Sequence, residues 1–303
     1  MTLTPRRLLV ALGIVFSLWP PSAYSRTWYV RNDGTGDAPT IQAAVDSAHA
    51  SDTILVGPGT YAYTLPVIIE NKDSLTVMSE SGPQSTSVNA ISLNFANYTS
   101  ILGFTFENYQ FGIVLGWSHH LRIENNIVRN ATEAGIYAYV ASEVSIANNL
   151  VYGCQTGMSI GDASGNIEVR NNTISHCSGW GIFTDASPLA LANTIVSFNN
   201  VGVEAFNPIS VLCSDVHGNG TNYALLGMSD PTGTNGNISV DPLYCGVEPQ
   251  QSGNYLLQSI SPCAPGNHPD GYSCGLIGRN PVGCGSTPVE KSSWSGMKSL
   301  YRR

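Results

Sequence analysis

The sequence predicts an all-β fold: a single-stranded right-handed parallel β-helix, or three-sheet solenoid, with a short N-terminal capping helix and a Cys-containing C-terminal cap. The prediction rests on an internal repeat of 22 to 23 residues, on short runs of β-branched and aromatic residues, and on a low charge content. Only 11% of the residues are charged, and 31 of the 303 are glycines. Such a composition is typical of a fold with many tight turns rather than of solvated helices.

The repeat is visible in five segments that align without gaps over six positions. Their first residues are separated by 22, 23, 23 and 22 positions, and they are Ile101, Ile123, Ile146, Val169 and Leu191. A weaker sixth copy begins at Val211, and a glycine followed by an apolar residue forms a second column from Gly112 to Gly202. A period of this size indicates a solenoid whose turns stack on one another.

The local sequence favours strands within each turn. A leucine-rich repeat has a similar period, but its regular leucine ladder and helix-length segment are absent here. Runs of three to five β-branched and aromatic residues, interrupted by Asn and Gly, indicate several short strands per turn. Stacking such turns about 4.8 Å apart creates parallel sheets along the axis. We expect two inward apolar ladders: Ile123, Ile146, Val169 and Leu191 in one, and Val128, Val151, Ile174 and Val196 in the other.

An asparagine column follows the first inward ladder and consists of Asn125, Asn148, Asn171 and Asn193. We expect the chain to bend sharply here from one sheet to the next. Asn tolerates the left-handed conformation that such a bend needs, and Gly103 occupies the same column one turn earlier. Stacked amides can also hydrogen-bond along the column. These asparagines are therefore interpreted as structural rather than catalytic.

The Asn-Asn turns, the glycine column and the period together resemble the parallel β-helix repeats of the pectin-lyase-like superfamily, in its bacterial exported type, over roughly residues 52 to 241. Segments 29–37, 39–46 and 52–61 resemble the opening of many such proteins. Thr40 or Asp37 can cap a short helix whose apolar face would cover the edge of the first turn. The cysteine-bearing segment 241–284 resembles the C-terminal module of these proteins and is interpreted as a cap.

The two ends of the chain differ in character from the repeat region. Residues 1–25 read as a signal peptide, with Arg6 and Arg7 before an apolar run that is too short to span a bilayer. Residues 26–284 are predicted to form one β-helix domain, and residues 285–303 a linker and basic tail. The tail resembles sorting segments of related exported proteins, although a frayed terminus explains it equally simply. A secreted, extracellular or cell-surface protein without a membrane span is expected, as a monomer.

The charge balance of the chain limits the classes of partner it can bind. Without the signal peptide the chain has 11 basic and 21 acidic residues, a net charge of −10. This balance argues against nucleic acid, which needs clustered Lys and Arg.

Disulfides are predicted in the C-terminal segment, among Cys245, Cys263, Cys274 and Cys284, with their pairing left open. Cys213 is expected to be the unpaired seventh cysteine. Cys154 and Cys177 occupy equivalent positions in adjacent turns, where a disulfide and a buried pair of thiols both remain open.

The resemblance implies enzymes as one functional class, and their signatures can be sought directly. The lyase segment Arg-x-Pro-x-x-Arg, the Asp-Asp pair of the hydrolases and the Gly-x-x-Asp-Phe strand of the esterases are all absent from the sequence. No catalytic residue, metal site or cofactor is predicted. Ca²⁺ would be needed only if the chain were a lyase. The histidines, including His119 and His120, form no consistent column.

A ligand-binding face is predicted instead. Side chains alternate along the strand that follows each glycine, so alternate residues should face outward. The candidate glycan-contacting residues on this face are Tyr137, Tyr139, Phe183, Asp185 and Glu204. An ordinary solvated sheet with scattered aromatic residues is the alternative. The sequence thus favours a non-catalytic surface, adhesion or glycan-recognition solenoid that contacts extracellular polysaccharide or a cell-surface component, with a lyase or hydrolase acting on uronate-containing, pectin-like glycans as the alternative.

Overall fold

The computed structural model describes residues 25–161 and 164–285. Almost all of the predicted signal peptide, and the basic tail after Gly285, lie outside these described residues. Among the described residues, no helix is both long and apolar enough to cross a membrane.

Three parallel sheets run along the solenoid, and from Thr53 onward every turn visits them in the same order. Sheet 1 comprises β1 (Thr27–Val30), β2 (Thr53–Val56), β5 (Thr76–Ser79), β8 (Ser100–Leu102), β11 (His119–Glu124), β14 (Ser142–Ala147), β17 (Gly165–Arg170), β20 (Leu189–Ala192) and β23 (Ile209–Leu212). Sheet 2 comprises β3 (Gly59–Tyr61), β6 (Thr86–Val88), β9 (Thr105–Glu107), β12 (Ile127–Arg129), β15 (Leu150–Tyr152), β18 (Thr173–Ser175), β21 (Ile195–Ser197) and β24 (Asp215–His217). Sheet 3 comprises β4 (Val67–Glu70), β7 (Ile91–Asn94), β10 (Phe111–Gly116), β13 (Ala134–Tyr139), β16 (Thr156–Gly161), β19 (Trp180–Thr184), β22 (Val201–Ala205) and β25 (Thr221–Leu225).

The inward ladders predicted from the repeat are confirmed. Ile123 lies between Ile101 and Ile146 in register, and Val169 and Leu191 continue the ladder. These side chains are buried, as are those of the second ladder on sheet 2. One continuous apolar core therefore follows the axis, because each turn repeats the same inward positions.

The two roles predicted for the asparagine column, the left-handed bend and the stacked hydrogen bonds, belong to neighbouring residues. Asn125, Asn148, Asn171 and Asn193 do take the left-handed conformation, with φ between 47° and 56°. The stacked hydrogen bonds, however, are made by the next residue in each turn, so the prediction that the first asparagines form them is wrong. The amide of Asn149 accepts from the backbone and side-chain nitrogens of Asn126 and donates to the carbonyl of Ile123 at 2.8 Å. The following residue carries the ladder because it is the one that points into the core.

The N-terminal helix α1 (Ile41–Ser47) is capped as expected. The hydroxyl of Thr40 accepts a hydrogen bond from the backbone nitrogen of Ala43. Ile41, Ala44 and Val45 are buried against β1, β2 and β4. The helix therefore closes the first turn, where the core would otherwise meet water.

The Cys-containing C-terminal cap is present. It covers the side of several earlier turns as well as the last one. Helix α2 (Pro249–Ser252), β26 (Leu257–Gln258) and β27 (Val282–Cys284) belong to a segment that folds back over the outer face of sheet 2. Tyr255 packs on Tyr152, and the Arg279 guanidinium donates to the carbonyl of Asn148. A second apolar core forms there, so this segment stabilises several turns at once.

Two disulfides fix the cap, and their partners correct the sequence-based expectation. Cys213 pairs with Cys274, and Cys245 pairs with Cys284. Cys263 is a buried free thiol, so the expectation that it forms a disulfide and that Cys213 does not is wrong. The Cys213–Cys274 bond joins the last turn of the solenoid to the returning segment, a contact that sequence spacing could not reveal. Cys154 and Cys177 are buried free thiols.

We expect Asn149→Ala to lower the free energy of unfolding by about 3 kcal/mol, because the Ile123 carbonyl and the Asn126 backbone N–H lose their partner while buried. Asn148→Gly is the matched control and should change stability by less than about 1 kcal/mol, because glycine adopts its positive φ readily. Urea unfolding of both variants checks this. Equal losses would show that the two asparagines share one structural role.

A buried carboxylate lies where the last turn meets the cap. Asp215 is fully buried, accepts a hydrogen bond from the backbone nitrogen of Val240 and receives another from the Cys263 thiol at 3.2 Å. Burial raises the pKa of Asp215 from 3.8 to about 7. The cap is therefore coupled to the protonation of this single side chain.

Because the folded-state pKa of Asp215 exceeds its unfolded value, the folded chain binds more protons between about pH 4 and 7. The contribution of Asp215 to stability is therefore present at pH 4 and is lost as the pH rises through 7, by roughly 1 kcal/mol per pH unit. Denaturant unfolding of the native chain and of Asp215→Asn at pH 4.5, 6 and 7.5 measures this. The variant should lose this dependence, and parallel pH profiles would refute the assignment.

Candidate functional site

The candidate site lies on the outer face of sheet 3. Strand pairing places one outward residue per turn in a single column, which contains Val114, Tyr137, Ser159, Phe183 and Glu204. The alternate residues Ile136 and Ala138 are fully buried. The predicted inward and outward alternation of this strand is therefore present, because parallel pairing preserves the pleat from turn to turn.

The first aromatic cluster consists of Phe111, Tyr137 and Tyr139. The ring centroids of Phe111 and Tyr137 are 5.2 Å apart, and those of Tyr137 and Tyr139 are 5.4 Å apart, with both pairs stacked. Offset stacking of this kind fixes the rings beyond the contribution of their buried area. The cluster therefore presents a pre-organised aromatic surface.

Tyr139 is held in place by a hydrogen bond across a glycine. Its hydroxyl donates to the Asn94 side-chain oxygen at 3.0 Å, over the position of Gly116. A Cβ atom at Gly116 would lie 2.4 Å from the tyrosine ring, so only glycine leaves room for it. Partial burial raises the pKa of the Tyr139 hydroxyl, which stays a neutral donor at physiological pH.

The second aromatic cluster consists of Trp180, Phe183 and Phe206. The Phe183 ring contacts Trp180 at 5.7 Å and Phe206 at 5.7 Å, both edge to face. The indole nitrogen of Trp180 donates to the carboxylate of Glu204. Glu204 thus orients the indole, and its carboxylate is already engaged.

Strand β16 lies between the two clusters and carries the small outward residues Ser159 and Gly161, which pair in register with Tyr137 and Tyr139. We call this part of the face the Ser159 trough. Because neighbouring strands lie about 4.8 Å apart, the backbones of Tyr137 and Phe183 are about 10 Å apart. The two aromatic residues therefore lie on either side of Ser159, one on each neighbouring turn.

The structure brings the predicted site residues together in two groups. Tyr137 and Tyr139 lie in the first cluster, whereas Phe183 and Glu204 belong to the second. Asp185 follows the end of β19, is exposed, and lies beside Gly161. All five residues therefore share one side of the solenoid.

Several aromatic neighbours were missed by sequence reasoning. Phe95 and Trp117 lie in the corner that follows sheet 3, and the Trp117 ring meets Tyr139 edge to face at 4.9 Å. They are 22 positions apart, the same interval as the repeat. That spacing was the signal that could have found them.

The charged side chains on the described strands of this face are all acidic. Among the described residues, the eight strands of sheet 3 contain no lysine, arginine or histidine, but they include Glu70 and Glu204. Sheet 1 differs, because Arg122 and Arg170 both form ion pairs with Glu124 on its outer face. The outer face of sheet 3 is therefore a weakly acidic aromatic surface.

A second concavity lies between sheet 2 and α2 and has a volume of about 230 Å³. Its polar side chains already satisfy one another. The Arg129 guanidinium contacts Glu107 at 2.6 Å and donates to the Tyr152 hydroxyl at 3.2 Å. The volume falls below the roughly 300–1,000 Å³ typical of ligand pockets, which makes this cavity a weak candidate.

Three stacked parallel sheets and an asparagine ladder define a parallel β-helix protein. A family model described as "Periplasmic copper-binding protein (NosD)" matches residues 45–219. This span covers more than half of the chain, and the chain belongs to that family.

Several solved structures resemble the chain at low sequence identity. The pectate lyase Pel9A is 12% identical, with a TM-score of 0.57, and the match covers 86% of this chain and 97% of that one. The cedar pollen allergen jun a 1 is 8% identical with a TM-score of 0.49, covering 71% of this chain and 79% of that one. The pectin methylesterase from carrot is 12% identical with a TM-score of 0.43, covering 70% and 88%. A comparison with curated proteins found no match.

The family description names copper, so the fit of the described residues to that metal can be tested. Copper(I) favours soft thiolate and thioether ligands, and imidazole suits copper in general. Within residues 25–161 and 164–285, no three His, Cys, Asp or Glu side chains are placed to hold a metal ion together. The thiols of Cys154 and Cys177 are buried in the interior, where their hydrogen bond to each other and burial raise the pKa of Cys177. The described residues do not fit a copper site of three or more such ligands.

Proposed function

We propose that this chain is an exported, non-catalytic β-helix protein that recognises glycans on the outer face of sheet 3. The observation that carries the proposal is the pair of aromatic clusters on either side of the Ser159 trough. Aromatic faces carry a negative quadrupole that attracts the C–H groups of a sugar ring, and nearby oxygens accept hydrogen bonds from its hydroxyls. Recognition therefore needs no further chemistry from the protein.

The same face supports binding better than catalysis. Proton abstraction from a uronate needs a base, and the described strands of sheet 3 offer no lysine, arginine or histidine for it. Hydrolysis needs two carboxylates at a defined separation, while the Glu204 carboxylate is bound to the Trp180 indole. These features favour recognition over the lyase or hydrolase alternative.

The proposed function includes export to an extracytoplasmic location. The family is described as periplasmic, and the two disulfides of the cap suit an oxidising compartment. The helical cap α1 and the returning C-terminal segment cover sheet edges and faces that could otherwise pair with another chain. We therefore propose a monomer that meets extracellular polysaccharide or a cell-surface component.

Tyr137→Ala and Phe183→Ala should each weaken polysaccharide binding at least tenfold, because each removes one wall of the trough. Affinity electrophoresis against a panel of neutral and uronate-containing polysaccharides measures this. Tyr29→Ala is the control, because Tyr29 is an exposed aromatic residue on sheet 1.

Absorbance of unsaturated product, recorded with and without Ca²⁺ in the same samples, tests the enzyme alternative. Binding without product is the expected result. Product formation would replace recognition with lyase activity, and the absence of binding to every polysaccharide would refute the proposal.

A further inference from the structure

An exposed aromatic ridge runs along the corner between sheet 3 and sheet 1. The Phe95 and Trp117 rings stack with centroids 5.9 Å apart and an interplanar angle of 21°. Beside them, Tyr98 and His120 stack at 4.5 Å and 16°. Phe95, Tyr98 and Trp117 are 48%, 57% and 49% exposed. We call these four residues the corner ridge.

The backbone of the corner ridge is strained. Phe95 and Trp117 have φ of 50° and 44°, and Tyr98 and His120 have φ of 55° and 56°. The left-handed region is unfavourable for side chains of this size, whereas Asn and Gly enter it readily. Asn71 occupies the equivalent position one turn before Phe95, because its backbone nitrogen bonds to Asn94 as that of Phe95 bonds to Gly116. A residue better suited to this conformation is thus present in the same column.

Half-exposed rings in a strained conformation gain little stability from burial. The residues best suited to this column by conformation alone are Asn or Gly, so the rings favour a function outside the folded chain. The corner ridge is also continuous with the first aromatic cluster, because Trp117 meets Tyr139 at 4.9 Å. Ring contacts therefore lead from Phe95 on one turn to Tyr137 two turns later, around the corner of the solenoid.

The charges beside this surface select the ligand. Glu70 and Glu204 lie on the strands of sheet 3, and the described residues of these strands include no lysine, arginine or histidine. Lys72, in the corner beside Asn71, directs its ammonium to the carbonyls of Asp46 and Ala48 at 2.8 Å each, at the end of α1. A polymer with a carboxylate on every sugar would meet only acidic side chains on the strands of sheet 3.

We propose that the corner ridge extends the glycan-binding surface and that the ligand is a neutral polysaccharide rather than a uronate polymer. This inference rests on the proposed glycan recognition and deepens it by naming the ligand class and four further contact residues. The polymer stacks on the first aromatic cluster and continues over Trp117 and Phe95.

Matched polysaccharides test the ligand class. Polygalacturonate and its carboxyl-reduced form share the same backbone and differ in charge. The native chain, at pH 7.5 and low salt, should bind the carboxyl-reduced polymer at least tenfold more tightly in isothermal titration calorimetry. Tighter binding of polygalacturonate would overturn the ligand class while leaving glycan recognition standing. The absence of binding to either polymer, and to the wider panel, would overturn both.

Matched variants test the corner ridge. Trp117→Asn removes a ring and relieves the left-handed strain, whereas Val140→Asn relieves the same strain one turn later without removing a ring. We expect Trp117→Asn to lose at least tenfold in affinity for the carboxyl-reduced polymer with a melting temperature at or above that of the native chain. Val140→Asn should keep the native affinity.

Two results would overturn the role of the corner ridge. Unchanged affinity of Trp117→Asn, alongside the loss expected for Tyr137→Ala, would confine the ligand to sheet 3. A clear fall in the melting temperature of Trp117→Asn would show that the ring is retained for packing.

Discussion

The constant register of stacked strands, with turns of near-equal length, is the constraint on which the rest of the structure depends. A parallel solenoid buries its core only if each turn returns an apolar side chain to the same inward position. The ladder from Ile101 to Leu191 satisfies this condition, and the buried amides of Asn126, Asn149 and Asn172 satisfy the backbone groups at the bends. An insertion of one residue in a strand would turn its inward side chains outward.

The candidate site is a consequence of the same register. Because inward residues stack on inward residues, outward residues must stack on outward residues, and their chemistry accumulates along the face. Tyr137, Ser159 and Phe183 are far apart in sequence but lie on successive turns. Glycines then shape the surface, since Gly116 lets the Tyr139 ring lie across to Asn94. The fold aligns these outward residues in one column, and a few side chains determine which ligands the column can bind.

Much of the fold could be predicted from the sequence because it is periodic. The repeat interval predicts the sheets, the inward ladders and the left-handed asparagines. The C-terminal segment has no period, and the return of Tyr255 and Arg279 over sheet 2 depends on contacts between residues about 80 to 150 positions apart. The Cys213–Cys274 disulfide follows from that return and was missed for the same reason. In the site, strand alternation placed Tyr137 and Phe183 correctly, whereas Phe95 and Trp117 lie in a corner where alternation does not apply.

The central claim is that the outer face of sheet 3 and its adjoining corner hold a glycan. A crystal structure of the chain soaked with a neutral oligosaccharide tests it most directly. We expect sugar rings stacked on Tyr137 and Tyr139, with the oligosaccharide continuing toward Trp117. Sugar bound instead beside Arg129 in the cavity under α2, with the outer face of sheet 3 empty, would contradict it.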